Sequence, residues 1–175
     1  MRMRGLLQDI PNHQELVYTL AMAFRQFLLR LILEEAIRRE EEAYRFYESA
    51  QETAREAAAR VLLRKLCAEE LRHRLKLEEV QRRGELDQAL EARTAREEEL
   101  LHDSGPAPLT DMAGLQPAEV WRLALRKEQL AVEHYSLLAR KVTLRYPRQV
   151  FGYLAGEEGR HVRWARAALE GLTGE

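Results

Sequence analysis

The sequence EELRH at residues 69–73 returns as EEGRH at residues 157–161, 88 positions further along a chain of 175 residues. A gapless shift by 88 positions also aligns Glu40 with Glu128 and Tyr47 with Tyr135. Repetition at a fixed offset indicates a structural unit that occurs twice. The unit carries one Glu on a first helix and, 30 positions later, the first residue of a Glu-x-x-His pair on a second.

The rest of the sequence predicts an all-α chain, because apolar residues recur three and four positions apart in long runs of Ala, Leu, Glu and Arg. Four helices are expected over residues 28–54, 58–83, 117–143 and 147–170. Pro117 and Pro147 suit first-turn positions, where a missing N–H costs nothing. The connection between the second and third helices, with a short helix predicted at 85–102, is long enough to cross the bundle. Two hairpins packed antiparallel are therefore expected.

The N-terminal segment 1–27 is predicted to be a helical extension of a bundle that spans 28–173. One continuous helix of about 40 residues would measure ~60 Å, too long for a single bundle layer. The extension is therefore expected to bend back or to project toward a partner subunit. Residues 16–33 are mostly apolar, but Arg25 and Arg30 interrupt them. Packing on protein is favoured over a membrane helix.

Charge and cysteine content exclude several classes. The 28 basic and 29 acidic residues nearly cancel, so no basic field favours nucleic acid. The single cysteine, Cys67, cannot form an internal disulfide or a cysteine-based zinc site. The N-terminus lacks the pattern of a secretory signal. The cytoplasm is the expected location.

Six repeated residues lie on the apolar faces of the predicted helices, and they are Glu40, Glu70, His73, Glu128, Glu158 and His161. Buried carboxylates cost on the order of several kcal/mol each unless a positive charge lies among them. Two divalent metals would balance four carboxylates, and two neutral imidazoles would complete the coordination. Oxygen-rich ligation with one imidazole per metal suits iron or manganese. A single Glu-x-x-His in a Glu-rich helix would be weak evidence, but two matched copies predict a metal site.

The stretches REEEAYRFYE (39–48) with EELRH, and RKEQLAVEHY (126–135) with EEGRH, resemble the rubrerythrin-like, ferritin-like di-iron family over about residues 28–170. The resemblance implies a ferritin-like four-helix bundle in which those six residues bind two metals. It implies that Glu70 and Glu158 bridge the metals, and that Tyr47 and Tyr135 hydrogen-bond the ligand carboxylates.

The family implies two iron ions, with manganese or a mixed Mn/Fe pair possible and zinc able to substitute in a purified sample. It implies reduction of hydrogen peroxide or O₂, with electrons from a separate rubredoxin-like protein because the chain lacks Cys-x-x-Cys pairs. A homodimer is also expected, with residues 1–27 as a dimer contact. Many rubrerythrins have an extra Glu where this chain has Ala131, so the ligand set is symmetric, as in bacterioferritin.

Three alternatives stay open. A ferroxidase or iron-storage protein is the first, although the chain ends at Glu175 without the fifth helix of storage ferritins. A di-iron oxygenase and a metal-free helical interaction module are the others. His134 is expected to lie outside the ligand set. Gly152, Gly156 and Gly159 are expected to permit close helix packing rather than to open a channel for a small oxidant.

Overall fold

A computed structural model of the chain describes residues 13–82 and 114–174. These residues form four α-helices and no strand: α1 (His13–Thr53), α2 (Ala57–Arg82), α3 (Pro117–Lys141) and α4 (Arg145–Thr173). The prediction of an all-α four-helix bundle is confirmed. The helix predicted at 85–102 and the first twelve residues lie outside the described segments.

Helix α1 differs most from its prediction, because it begins at His13 and runs without a break to Thr53. No Gly or Pro occurs between these residues, so nothing in the backbone ends or bends the helix. The expectation that the extension bends back is wrong, and the alternative, projection toward a partner subunit, stays a prediction. The first 15 residues of α1 are largely exposed, and the helix joins the core from Leu28 onward. The division into an extension and a bundle at residue 28 stays a prediction, since one helix spans it.

Two apolar clusters show how the hairpins pack. One joins Leu33 in α1 and Leu77 near the end of α2 to the end of α3 and the beginning of α4. The other joins Phe46 and Leu63, near the α1–α2 turn, to Trp121 at the beginning of α3 and to the end of α4. Each hairpin turn therefore lies beside the open end of the other hairpin. The antiparallel arrangement predicted from the sequence is confirmed.

Local signals fix the ends of the second hairpin. Pro117 begins α3, as predicted, and the Glu119 carboxylate accepts a hydrogen bond from the Gln116 N–H at 2.7 Å in a capping box. Gly174 ends α4 in the left-handed conformation with φ of 72°, where glycine is favoured. These ends set the helix register that brings both half-sites to the same depth.

Three of the glycines of α4, Gly152, Gly156 and Gly159, lie along its outer side. A Cβ atom at Gly152 or Gly156 would meet nothing within 4 Å among the described residues. At Gly159 it would meet only the Arg163 guanidinium, at 3.9 Å. Within residues 13–82 and 114–174, no helix packs closely against these glycines, so the expectation of close helix packing is wrong for this part of the chain.

Candidate metal centre

The structure brings together all six residues predicted from the repeat. Each is at most 3% exposed, and they lie between the two apolar clusters, contributed by all four helices. The residues are Glu40 on α1, Glu70 and His73 on α2, Glu128 on α3, and Glu158 and His161 on α4. The one-face spacing of Glu-x-x-His directs both side chains of each pair inward.

Each histidine faces three carboxylates through Nδ1. For His73, the distances are 2.9 Å to Glu158 Oε1 and 3.5 Å to both Glu40 Oε2 and Glu70 Oε2. For His161, they are 3.1 Å to Glu70 Oε1 and Glu158 Oε2, and 3.4 Å to Glu128 Oε2.

The carboxylates fall into two pairs. Glu70 and Glu158 each face both imidazoles, whereas Glu40 faces only His73 and Glu128 faces only His161. Two shared and two unshared carboxylates are the arrangement that a pair of metals requires. The sequence comparison implied the same division, with Glu70 and Glu158 as the bridges.

These separations fit coordinated metal ions. Ligand atoms about 2.1 Å from a metal in octahedral geometry lie roughly 3 Å from one another. Several of the ligand atoms are buried without a suitably oriented hydrogen-bond partner among the described residues: Glu40 Oε2, Glu70 Oε1, Glu158 Oε1, both ring nitrogens of His73 and His161 Nε2. Buried polar atoms without partners are costly. Cations among the carboxylate oxygens and the Nδ1 atoms would supply partners for most of these atoms.

Burial opposes charge on the carboxylates of the cluster. It raises the pKa values of Glu40 and Glu128 well above the usual range, which favours their protonated forms. Burial also opposes ionisation of Glu70 and Glu158, but hydrogen bonds from the imidazoles outweigh it and lower their pKa values.

The same carboxylates also change the pKa values of the two imidazoles. Burial alone would lower the pKa of His161, but hydrogen bonds with Glu128, Glu158 and Glu70 raise it to about 12. The pKa of His73 is raised for the same reason. These shifts favour protons on both imidazoles and on Glu40 and Glu128, and bound metal ions would have to displace them.

Two tyrosines orient the unshared carboxylates across the hairpins. The Tyr47 hydroxyl on α1 donates to Glu128 Oε1 on α3, and the Tyr135 hydroxyl on α3 donates to Glu40 Oε1 on α1. Each bond leaves Oε2 of its glutamate facing a histidine. Burial raises both tyrosine pKa values well above 10, so both hydroxyls remain donors. This is the role that the resemblance implied for Tyr47 and Tyr135.

Sequence reasoning missed two acidic residues beside His73. Glu69 and Glu157 lie on α2 and α4, with one carboxylate oxygen of each and one ring nitrogen of His73 all within 4.8 Å of one another. Arg72 lies 2.6 Å from Glu69, and Arg160 pairs with Glu157. Outer carboxylates near a ligating imidazole bias its tautomer and ring orientation. The signal was present in the sequence, because the repeat matches Glu69 with Glu157 and Arg72 with Arg160.

His134 stays outside the ligand cluster. Its ring packs edge-on against Tyr135 with the centroids 5.4 Å apart. Burial and the nearby Arg39 lower its pKa to about 4, so it is neutral near pH 7.

A four-helix bundle around a buried carboxylate and imidazole cluster defines the class of ferritin-like metal-carboxylate proteins. Within that class, the rubrerythrin family model matches residues 9–81. The match covers the first half-site, Glu40, Glu70 and His73, and confirms the resemblance over this part of the chain. The second half-site is related to it by the internal repeat. Searches of curated proteins and of solved structures give no match.

Proposed function

We propose that the protein is a non-haem di-iron oxidoreductase that reduces hydrogen peroxide, or O₂, with electrons from an external donor. The observation that supports it best is the Glu70 and Glu158 pair, each within 3.5 Å of both histidines, with one further glutamate beside each imidazole. Two iron ions would bind and reduce the oxidant as they pass from the ferrous to the ferric state.

The six residues would bind the two metals as follows. Glu40 with His73 would hold one metal, Glu128 with His161 the other, and the two shared glutamates would link them. Burial of all six side chains excludes bulk water and strengthens the electrostatic interactions within the site. Oxygen-rich ligation with one imidazole per metal favours iron or manganese, and we propose iron.

Reduction of one H₂O₂ to two waters consumes two protons and two electrons, so each iron would lose one electron. Cys67 is the single cysteine, so no four-cysteine rubredoxin site can form within these 175 residues. We propose a separate rubredoxin-like protein as the electron donor. One cysteine also fits a reducing compartment, and we propose the cytoplasm.

The direct test is anaerobic loading with two ferrous ions per chain followed by stopped-flow mixing with one equivalent of H₂O₂. The ferrous ions should be oxidised within seconds, faster than free ferrous ion at the same concentration. Glu70→Ala should remove the effect. Glu52→Ala, an exposed residue on α1, is the matched control and should retain it. Oxidation no faster than that of free iron would refute the proposal.

A ferroxidase or iron-storage function is the second candidate. The half-buried Ala131, at the position of an additional Glu in many rubrerythrins, favours it because the ligand set is then symmetric. This function predicts faster oxidation by O₂ than by H₂O₂ and retention of many irons per chain in a large hollow assembly. Iron content near two per chain and a small particle by light scattering would exclude storage.

A further inference from the structure

The first 15 residues of α1 carry large apolar side chains that the described residues do not cover. Leu16, Val17, Leu20, Phe24 and Phe27 are 49–62% exposed. The free part of the helix is about 22 Å long. So many exposed apolar side chains on one short segment mark a contact surface.

Five of the apolar residues form one regular seam. Val17, Leu20, Phe24, Phe27 and Leu31 are spaced by three, four, three and four positions, the heptad spacing of a coiled coil. At 3.6 residues per turn, this seam lies roughly 100–140° around α1 from residues that enter the bundle core, such as Ile32 and Ala36. The seam therefore faces away from the bundle formed by the described residues and can contact another molecule while α1 stays in that bundle.

The charged residues of this segment lie beside the seam and not on it. Glu15, Arg25 and Arg30 each fall at least about 100° from its centre at the same helical pitch. Their positions match those that remain in solvent when two helices pack along apolar seams.

A membrane span fits this segment less well. Among the described helices, α1 alone has the length and hydropathy to cross a membrane. However, 22% of its apolar window is buried, because Leu28, Leu29, Ile32 and Leu33 belong to the bundle. The remaining ~22 Å is shorter than the ~30 Å hydrocarbon core of a bilayer, and Arg25 lies within it.

We propose that the seam binds the same seam of a second copy of this chain as an antiparallel two-helix coiled coil. With the twofold axis near Met22, Phe24 faces Leu20 of the partner subunit and Phe27 faces Val17 of the partner subunit. Each large ring thus meets a smaller side chain. Antiparallel pairing also places the two bundles at opposite ends of the helix pair.

The size of the surface is adequate for this partner. Four of the seam residues leave about half of their surface open, and Leu16 flanks them. Five such side chains per copy approach the total of about 1,000 Å² that a specific interface requires. The interface is independent of the proposed chemistry, since Phe24 lies 16 residues, or about 24 Å, from Glu40 along α1.

The first test compares the mass in solution of the wild-type chain with that of the Leu20→Lys/Phe24→Lys double variant. Light scattering should give twice the 20.4 kDa chain mass for the wild type and a single chain mass for the variant. Val61→Lys on α2 replaces another exposed apolar residue, 67% exposed, and should leave the dimer intact. Unchanged helicity and metal content would show that the double variant is folded.

The second test examines direction. Cys67 is buried, so any disulfide between chains can be assigned to the engineered cysteines. Mixing Leu20→Cys chains with Phe24→Cys chains should give a mixed disulfide, because antiparallel pairing opposes these positions. The proposed interface would be refuted by a monomeric wild-type protein, or by a dimer that persists in the Leu20→Lys/Phe24→Lys variant. Preferential disulfides within the Leu20→Cys sample would overturn the antiparallel direction. A wild-type monomer that floats with phosphatidylcholine and phosphatidylglycerol vesicles would instead assign the seam to a membrane surface.

Discussion

The two hairpins contribute the same residue types to the candidate metal centre but surround them differently. The ring of His73 lies beside the carboxylates of Glu69 and Glu157. The ring of His161 instead stacks on Trp164, with the centroids 5.4 Å apart. The residue types of the cluster are thus duplicated, while the groups that surround the two imidazole rings are not. We therefore expect two metal positions of equal composition and unequal affinity, with the position at His73 the tighter because carboxylates increase the basicity of a ligating imidazole.

Removal of a shared ligand should have the largest effect, because it acts on both hairpins at once. Glu158→Ala is expected to reduce bound metal from two ions per chain to less than one. Elemental analysis after dialysis against metal-free buffer measures this directly. Glu133→Ala, an exposed position on α3, is the control. Retention of two ions in Glu158→Ala would contradict the assignment of a shared ligand.

Removal of an unshared ligand should affect the metal position of only one hairpin. Glu40→Ala should lose the metal beside His73 and keep the one beside His161, whereas Glu128→Ala should do the reverse. Each variant should hold about one ion. Because the retained positions differ in their outer contacts, titration with a competing chelator should show weaker retention in Glu40→Ala. Equal retention would mean that the outer contacts do not distinguish the hairpins.

Acidification should weaken metal binding, because the ions must displace protons from both hairpins. Despite burial, hydrogen bonds with the carboxylates raise the pKa values of His73 and His161, and burial raises those of Glu40 and Glu128, so protonation of all four groups competes with metal binding. Lower pH favours these protonated forms, so apparent affinity should fall by at least ~10-fold per pH unit below pH 7. Loading in weak buffer with a pH indicator should show proton release. Binding that releases no protons would rule out the proposed charge balance.

Substitution of the two tyrosines tests whether the two cross-hairpin hydrogen bonds are equivalent. Tyr135→Phe and Tyr47→Phe each remove one donor to an unshared glutamate and should lower metal affinity by roughly 10-fold. Both hydroxyls are buried in the same arrangement, so we expect similar losses. A chelator competition measures them. Phe46→Leu, a buried aromatic next to Tyr47 without a polar group, controls for disturbed packing. A loss in that variant equal to the loss in Tyr47→Phe would remove the special role of the hydroxyl.

The sequence predicted the residues of the candidate site more accurately than it predicted the length of α1, and the difference has a physical reason. Two copies of Glu-x-x-His, each preceded by a glutamate on an apolar face, leave few ways to bury the charges, so the repeat was enough to find Glu40 and Glu128. The continuity of α1 was missed because a break near residue 28 was inferred from the length of a bundle layer, whereas the 13–27 segment has neither Gly nor Pro to end a helix. Glu69 and Glu157 were missed because helical phase alone does not show which outer carboxylates approach a ring in three dimensions.

The smallest effect should come from a substitution at one of the glycines on the outer side of α4, which have no equivalent glycines in the first hairpin. Gly156→Ala adds a Cβ atom to open space among the described residues and removes a residue of low helix propensity. The variant should gain about 0.5–1 kcal/mol in the free energy of unfolding. Urea denaturation of the metal-free protein measures the gain, with Ala155→Gly expected to change stability in the opposite direction. Because metal content should not change, a loss of metal in Gly156→Ala would indicate that this side of α4 contributes to the site.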